Sequence, residues 1–165
     1  MRLMTYNDIL RRFRYAVDLS DSVILEAFKL KNYTVSPEQL SRYFMRETET
    51  GYQELSAELM DAFLDGLIIY TRGKQDNVTA SSPRPQVPLN NNVILKKIRI
   101  ALELREDDML NLLDVAQFSL SRSELSALFR KKGHKNYKEC GDQLLRNFIN
   151  GLTKHNRIKP DKAGE

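Results

Sequence analysis

Displacing the sequence by 85 positions lays its second half on its first without an insertion. A chain with such an internal repeat is confined to architectures built from one unit used twice. Asn7-Asp8-Ile9-Leu10-Arg11-Arg12-Phe13-Arg14-Tyr15-Ala16-Val17-Asp18-Leu19 falls on Asn92-Val93-Ile94-Leu95-Lys96-Lys97-Ile98-Arg99-Ile100-Ala101-Leu102-Glu103-Leu104. Further on, Ser36, Leu40, Ser41 and Phe44 meet Ser121, Leu125, Ser126 and Phe129. Tyr52, Glu54, Leu59, Phe63, Gly66 and Leu67 meet Tyr137, Glu139, Leu144, Phe148, Gly151 and Leu152. Across 61 aligned positions 17 are identical, and most of the others exchange like for like, which chance does not produce at one fixed offset.

Each copy reads as four helices. Ile9, Leu10, Phe13, Ala16 and Val17 form one apolar stripe at helical spacing. Thr5 and Asn90 stand where N-caps belong. A second helix near Asp21–Lys31 carries Ile24, Leu25 and Phe28, and its equivalent carries Met109, Leu110 and Leu113. Both have acidic first turns (Asp21; Glu106, Asp107, Asp108), as the helix dipole favours. The third helix is announced by Ser36 with Pro37, and in the second copy by a Ser121/Glu124 capping box. The fourth carries Leu59, Phe63, Leu67 and Leu144, Phe148, Leu152. Gly66 and Gly151 fall within or at the end of it, and a mid-helix glycine costs about 1 kcal/mol against alanine. Keeping both implies a close helix contact or a cap.

Residues 73–88, with Pro83, Pro85 and Pro88 and no apolar period, read as a flexible linker. The expected organisation is therefore a first helical unit at 4–72, the linker at 73–88, a second unit at 89–153 and a disordered basic tail at 154–165. The fold class is all-α: about eight helices, a four-helix unit duplicated in tandem as a pseudo-symmetric pair. A unit of about 65 residues buries little surface alone, which favours docking of the copies or dimerisation.

Hydrophobic residues at 41% and charged residues at 29% place the chain among globular proteins rather than disordered ones. No apolar run approaches the ~18 residues that suggest a membrane span, and the start lacks the apolar stretch of a secretory signal. One cysteine, Cys140, forms no internal disulfide, which fits a cytoplasmic setting. The net charge of +4 is uneven: residues 1–70 hold 8 Lys/Arg against 11 Asp/Glu, whereas residues 89–165 hold 15 against 10. That asymmetry bears on partners rather than on fold.

Asn7–Leu19, Gly66-Leu67-Ile68, Asn92–Leu104, Leu125-Ser126-Ala127-Leu128-Phe129-Arg130-Lys131 and the stretch from Glu139-Cys140-Gly141-Asp142 to Gly151-Leu152 resemble the YehS family. These are bacterial proteins with a doubled domain of unknown function. The resemblance covers nearly all of the chain except linker and tail. It implies a bacterial cytoplasmic protein, and it brings no activity, cofactor or site residue with it.

No catalytic constellation is visible. His134 and His155 lie in a basic loop and in the tail, with no counterpart in the first copy. Cys140 aligns with Leu55, so an inert buried thiol is expected over a Cys–His pair with His134. No glycine-rich phosphate loop, HExxH or CxxC occurs, and no metal, cofactor or small-molecule substrate is implied. Asp61 and Asp65 lie four apart, but their counterparts are Arg146 and Asn150, so they read as solvated surface carboxylates. The second and third helices have helix-turn-helix proportions, yet Glu38 and Glu124 at the start of the third would repel phosphate.

The basic residues carry the binding candidates. Arg130, Lys131, Lys132, His134, Lys135 and Lys138 form a dense cationic loop, whereas its counterpart, 45–53, is mixed to acidic. A second set, Arg11, Arg12 and Arg14 with Lys96, Lys97 and Arg99, flanks the apolar stripe of the first helices. The plain alternative is solvated faces with internal ion pairs, Arg14 and Arg99 making bidentate contacts with carboxylates. The expected function is a non-catalytic protein-interaction or regulatory module, self-association included. Sequence-tolerant nucleic-acid binding through the second copy is the alternative.

Overall fold

The computed structural model describes residues 4–73 and 88–158, with side chains described as far as Asn156. Most of the expected linker, 74–87, and the last residues of the expected tail, 159–165, lie outside the described residues. Among the described residues the chain is all-α, with eight helices in two equivalent sets of four. These are α1 (Tyr6–Val17), α2 (Asp21–Leu30), α3 (Pro37–Tyr43) and α4 (Ala57–Arg72), then α5 (Asn91–Ala101), α6 (Glu106–Val115), α7 (Arg122–Leu128) and α8 (Asp142–Ile158).

The starts are set by short polar side chains that accept from backbone N–H groups the helix itself leaves unpaired. Thr5, Ser20, Ser36, Ser56, Asn90 and Ser121 all cap in this way. At α6 the reciprocal half of a capping box does the work, the Arg105 N–H donating to Asp108 Oδ2 at 2.8 Å. Two breaks recur at the same repeat positions with a left-handed backbone on a non-glycine residue. They are Asp18 (φ 55°) and Glu103 (φ 54°) after the first helices, and Asn32 (φ 68°) and Gln117 (φ 62°) after the second.

The compact units do not follow the copies. One comprises residues 1–19 with 103–165, and the other is the continuous stretch 20–102. The copies therefore exchange their first helices. In the continuous unit α4 packs on α2 and on α5; in the other, α8 packs on α6 and on α1. The chain passes from one unit to the other at Leu19/Ser20 and returns at Leu102/Glu103. The repeat units expected at 4–72 and 89–153 are copies in the sequence, and the compact units cut across them. The reason is that α1 and α5 present the same apolar stripe, so either can close either set.

In the continuous unit the buried core joins Ile24 and Phe28 of α2, Leu40 and Tyr43 of α3, Phe63, Leu64 and Leu67 of α4, and Ile94, Leu95 and Ile98 of α5. The Phe28 and Phe63 rings lie 5.8 Å apart and tilted by 45°. In the other unit Ile9, Leu10 and Phe13 of α1 join Met109 and Leu113 of α6, Leu125 and Leu128 of α7, and Leu145, Phe148 and Ile149 of α8.

The tail also begins later than expected. Helix α8 continues through Lys154 and His155 to Ile158, and the Asn156 side-chain amide donates to the Ala16 carbonyl at the end of α1. That carbonyl is one of the acceptors a helix end leaves unpaired. It belongs to the other copy, so a reading of the second copy alone does not see it.

Gly66 and Gly151 are close helix contacts, not caps. A β-carbon on Gly66 would stand 1.8 Å from the Ala27 carbonyl oxygen, and one on Gly151 would stand 2.0 Å from that of Leu112. In both units the fourth helix thus lies backbone against backbone on the second. Gly66→Ala or Gly151→Ala forces the helices apart, and overpacking of this kind costs about 3 kcal/mol. The expected result is a fall in the melting temperature of roughly 10–20 °C, measured by circular dichroism. Gly141→Ser, where nothing lies within 4 Å, is the control and leaves it unchanged or higher.

Candidate functional site

The loop between α7 and α8 repeats the turn hydrogen bonds of the loop between α3 and α4. Bonds from His134 N–H to the Lys131 carbonyl, from Tyr137 to His134 and from Lys138 to Ala127 match those from Glu49 to Arg46, Tyr52 to Glu49 and Gln53 to Arg42. The left-handed glycine sits at different places, Gly51 (φ 99°) in the first loop and Gly133 (φ 97°) in the second, and the charges differ. In the first copy Glu49 turns back to accept from the Arg46 N–H at 2.6 Å, so an acidic side chain closes its own loop. In the second copy His134 takes that position, and its Nδ1 accepts from the Asn136 N–H at 3.0 Å.

Arg130, Lys131, Lys132, His134 and Lys135 are all exposed. Among the described residues none of the four lysine and arginine side chains in that set meets a carboxylate, while Lys138 stands 3.9 Å from Glu124. The loop therefore presents a run of cations that its own fold does not require. Counted by compact unit, the residues 1–19 with 103–165 hold 16 Lys/Arg against 12 Asp/Glu, and residues 20–102 hold 10 against 10. The whole of the +4 net charge thus belongs to the unit that carries this loop.

The second candidate set is dispersed. Arg11 pairs with Asp8 one turn back on α1, and Arg12 and Lys96 are exposed. Arg14 and Arg99 are half-buried, and both are engaged within the protein. Lys97 on α5 reaches across to α4, its ammonium 2.5 Å from Asp61 Oδ1 and 2.8 Å from Asp65 Oδ1. Asp61 and Asp65, expected as solvated surface carboxylates, are instead the counter-charge that receives the exchanged helix. Their role is hidden in the sequence because the lysine comes from the other copy.

Burial alone would push the Lys97 ammonium down, but hydrogen bonds and charge from Asp61 and Asp65 outweigh it and hold its pKa above the usual value. A raised lysine pKa contributes stability that is fully present below the unfolded-state value near ~10.4 and is lost as pH rises through the folded-state value. Lys97→Gln leaves two carboxylates facing each other in a half-exposed setting and costs about 1–2 kcal/mol at neutral pH. The difference from the parent protein should close as the pH is taken above the lysine range, followed by urea unfolding.

Cys140 is a core residue, 3% exposed, and stands where Leu55 stands in the first copy. Burial, and after it the charge of Asp142, pushes its thiol up to about 12, the reverse of what a nucleophile requires. Among the described residues no group of His, Cys, Asp and Glu side chains is placed to hold a metal ion. No helix of the described residues is long and apolar enough to cross a membrane.

The helix-turn-helix geometry fares no better. Arg122, the one cation at the start of α7, is held by Glu106 Oε1 at 2.7 Å and Asp107 Oδ1 at 2.5 Å, and the Ser36 and Ser121 hydroxyls accept cap bonds. At the starts of α3 and α7, Arg122 and the two capping hydroxyls are thus engaged by the protein itself.

Comparison with known proteins is consistent with the duplication. The model of a family described as "Protein of unknown function (DUF1456)" matches twice, at residues 6–73 and 91–157. The chain is 38% identical over 156 residues to the uncharacterized protein YehS of Escherichia coli (strain K12), a match covering 94% of this chain and 99% of that one. No solved structure matches.

Proposed function

We propose that this chain, which belongs to the DUF1456 family of proteins of unknown function, is a non-catalytic interaction protein that docks the loop Arg130–Lys138 on an acidic partner surface. The observation that carries this reading is the pair of loops with equivalent turn bonds and two charge patterns. Since the mixed sequence 45–53 closes the same turns, the cations of the second copy are not a requirement of folding. A dense run of like charges is costly to hold on a structure unless something outside the chain neutralises it. The buried thiol and the ion pairs within each unit supply stability rather than chemistry.

A second reading, sequence-tolerant nucleic-acid binding, is favoured by one further observation: all the net positive charge lies in the unit that bears the loop. Phosphate binding announces itself by its salt dependence, since each neutralised phosphate releases counterions.

Labelled random DNA and RNA titrated at about 50 and 200 mM salt separate the two readings. Binding that falls steeply over that range and vanishes when Lys131, Lys132, Lys135 and Lys138 are replaced by serine, with helicity unchanged, assigns the loop to nucleic acid. A protein partner recovered by the parent chain and lost by the same variant assigns it to an acidic protein surface. Binding of either kind that survives the four substitutions removes the loop from the account.

A further inference from the structure

The exchange of first helices places two chemically different versions of one helix contact in the same molecule. In the continuous unit α5 lies on α4, and Lys97 is clasped by Asp61 and Asp65. In the other unit α1 lies on α8, and the offset of 85 puts Arg12 in the place of Lys97, Arg146 in the place of Asp61 and Asn150 in the place of Asp65. The cation is kept while both carboxylates are gone, and one of them has become a second cation.

The two contacts share their fixed points. Both fourth helices are fixed on their second helix at the equivalent glycine, and both first helices start from a cap at the equivalent residue. By the repeat offset, Arg12 occupies on α1 the position that Lys97 occupies on α5, and α1 packs on α8 as α5 packs on α4. Arg12 is exposed and meets no carboxylate among the described residues. Arg146 is half-exposed, and its Nη1 donates to the neutral Gln143 Oε1 at 3.0 Å.

The change extends along the contact. Lys154, on the same α8 stripe as Arg146 and Asn150 at helical spacing, replaces Ile69. Tyr15, 59% exposed on α1, replaces Ile100. Two guanidinium forks, an amide and a lysine supply donors in a place where the sister contact supplies its own acceptors, and the carboxylate one turn before Arg12, Asp8, is taken by Arg11. Paired arginines beside an amide match the oxygens of a phosphoryl group, which takes several charge-assisted hydrogen bonds at once.

We propose that the α1–α8 face of this unit, around Arg12, Arg146 and Asn150, is a binding site for a phosphoryl oxyanion, the counterpart of the contact that Asp61 and Asp65 neutralise internally. The site stands apart from the loop Arg130–Lys138 and does not depend on it. The oxyanion belongs to a free phosphate-bearing molecule or to a nucleic-acid backbone, and the test separates the two.

The full chain is titrated with inorganic pyrophosphate at about 50 mM salt, following the side-chain Nε–H signals of the arginines by NMR. The signals of Arg12 and Arg146 are expected to shift with saturation. Arg12→Gln and Arg146→Gln should each weaken pyrophosphate at least tenfold. The double change Arg146→Asp with Asn150→Asp rebuilds the acid pair of α4; it should abolish binding while the melting temperature holds or rises, which shows that the loss is not unfolding.

The variant with the four loop lysines replaced should keep the pyrophosphate shifts, which tells failure of this site from failure of the loop. A labelled single-stranded DNA that loses affinity in the same two arginine variants identifies the backbone as the source. DNA binding that is unaltered while pyrophosphate is lost identifies a free phosphate-bearing ligand. Undiminished pyrophosphate affinity in both Arg12→Gln and Arg146→Gln, or no shift of either signal at millimolar ligand, overturns the proposal.

Discussion

At Gly66 and Gly151 two helices meet with backbone against backbone, the missing β-carbon leaving room for the carbonyl oxygen of Ala27 or Leu112. That approach fixes how the fourth helix of each copy crosses the second, and with it which face of the fourth helix is left to receive a further helix. On α4 that face carries Asp61 and Asp65 and receives α5; on α8 it carries Arg146 and Asn150 and receives α1. The apolar cores close over these crossings, and the exchange of first helices follows from having two equivalent faces and two equivalent helices to fill them.

Upon this shared frame the two copies have diverged mainly in charge. The loops 45–53 and 130–138 keep their turn bonds and differ in sign, and the first-helix contacts keep their packing and differ in sign. Charge placed on an exposed surface alters what that surface attracts more than how it folds. One unit is neutral overall and settles its half-buried lysine internally, whereas the other collects the excess of cations.

Much of this fold is legible in the amino-acid sequence. The offset of 85, the caps at Thr5, Ser36, Asn90 and Ser121, the eight helices and the apolar slot of Cys140 all rest on local rules, and local rules are written in contiguous residues. The exchange is not legible there. Periodicity states that Ile9, Leu10 and Phe13 are covered but not by which helix, because Ile94, Leu95 and Ile98 make an identical demand. The pairing of Lys97 with Asp61 and Asp65, the bond from Asn156 at the end of α8 to α1, and the packing of α1 on α8 all depend on that one non-local fact. The dense basic loop shows in the sequence because it is contiguous; the α1–α8 cluster does not, because its members lie far apart along the chain.

The exchange itself is tested by cutting the chain in two ways and measuring cooperative urea unfolding and molecular mass in solution. Residues 20–102 contain a complete compact unit across the boundary between copies, whereas residues 4–72 contain a complete copy that lacks the helix its α4 receives. The account predicts that 20–102 folds cooperatively as a monomer, and that 4–72 either fails to do so or folds only as a dimer in which each chain lends its first helix to the other. A stable, cooperative monomer from 4–72 together with an unfolded 20–102 would contradict it.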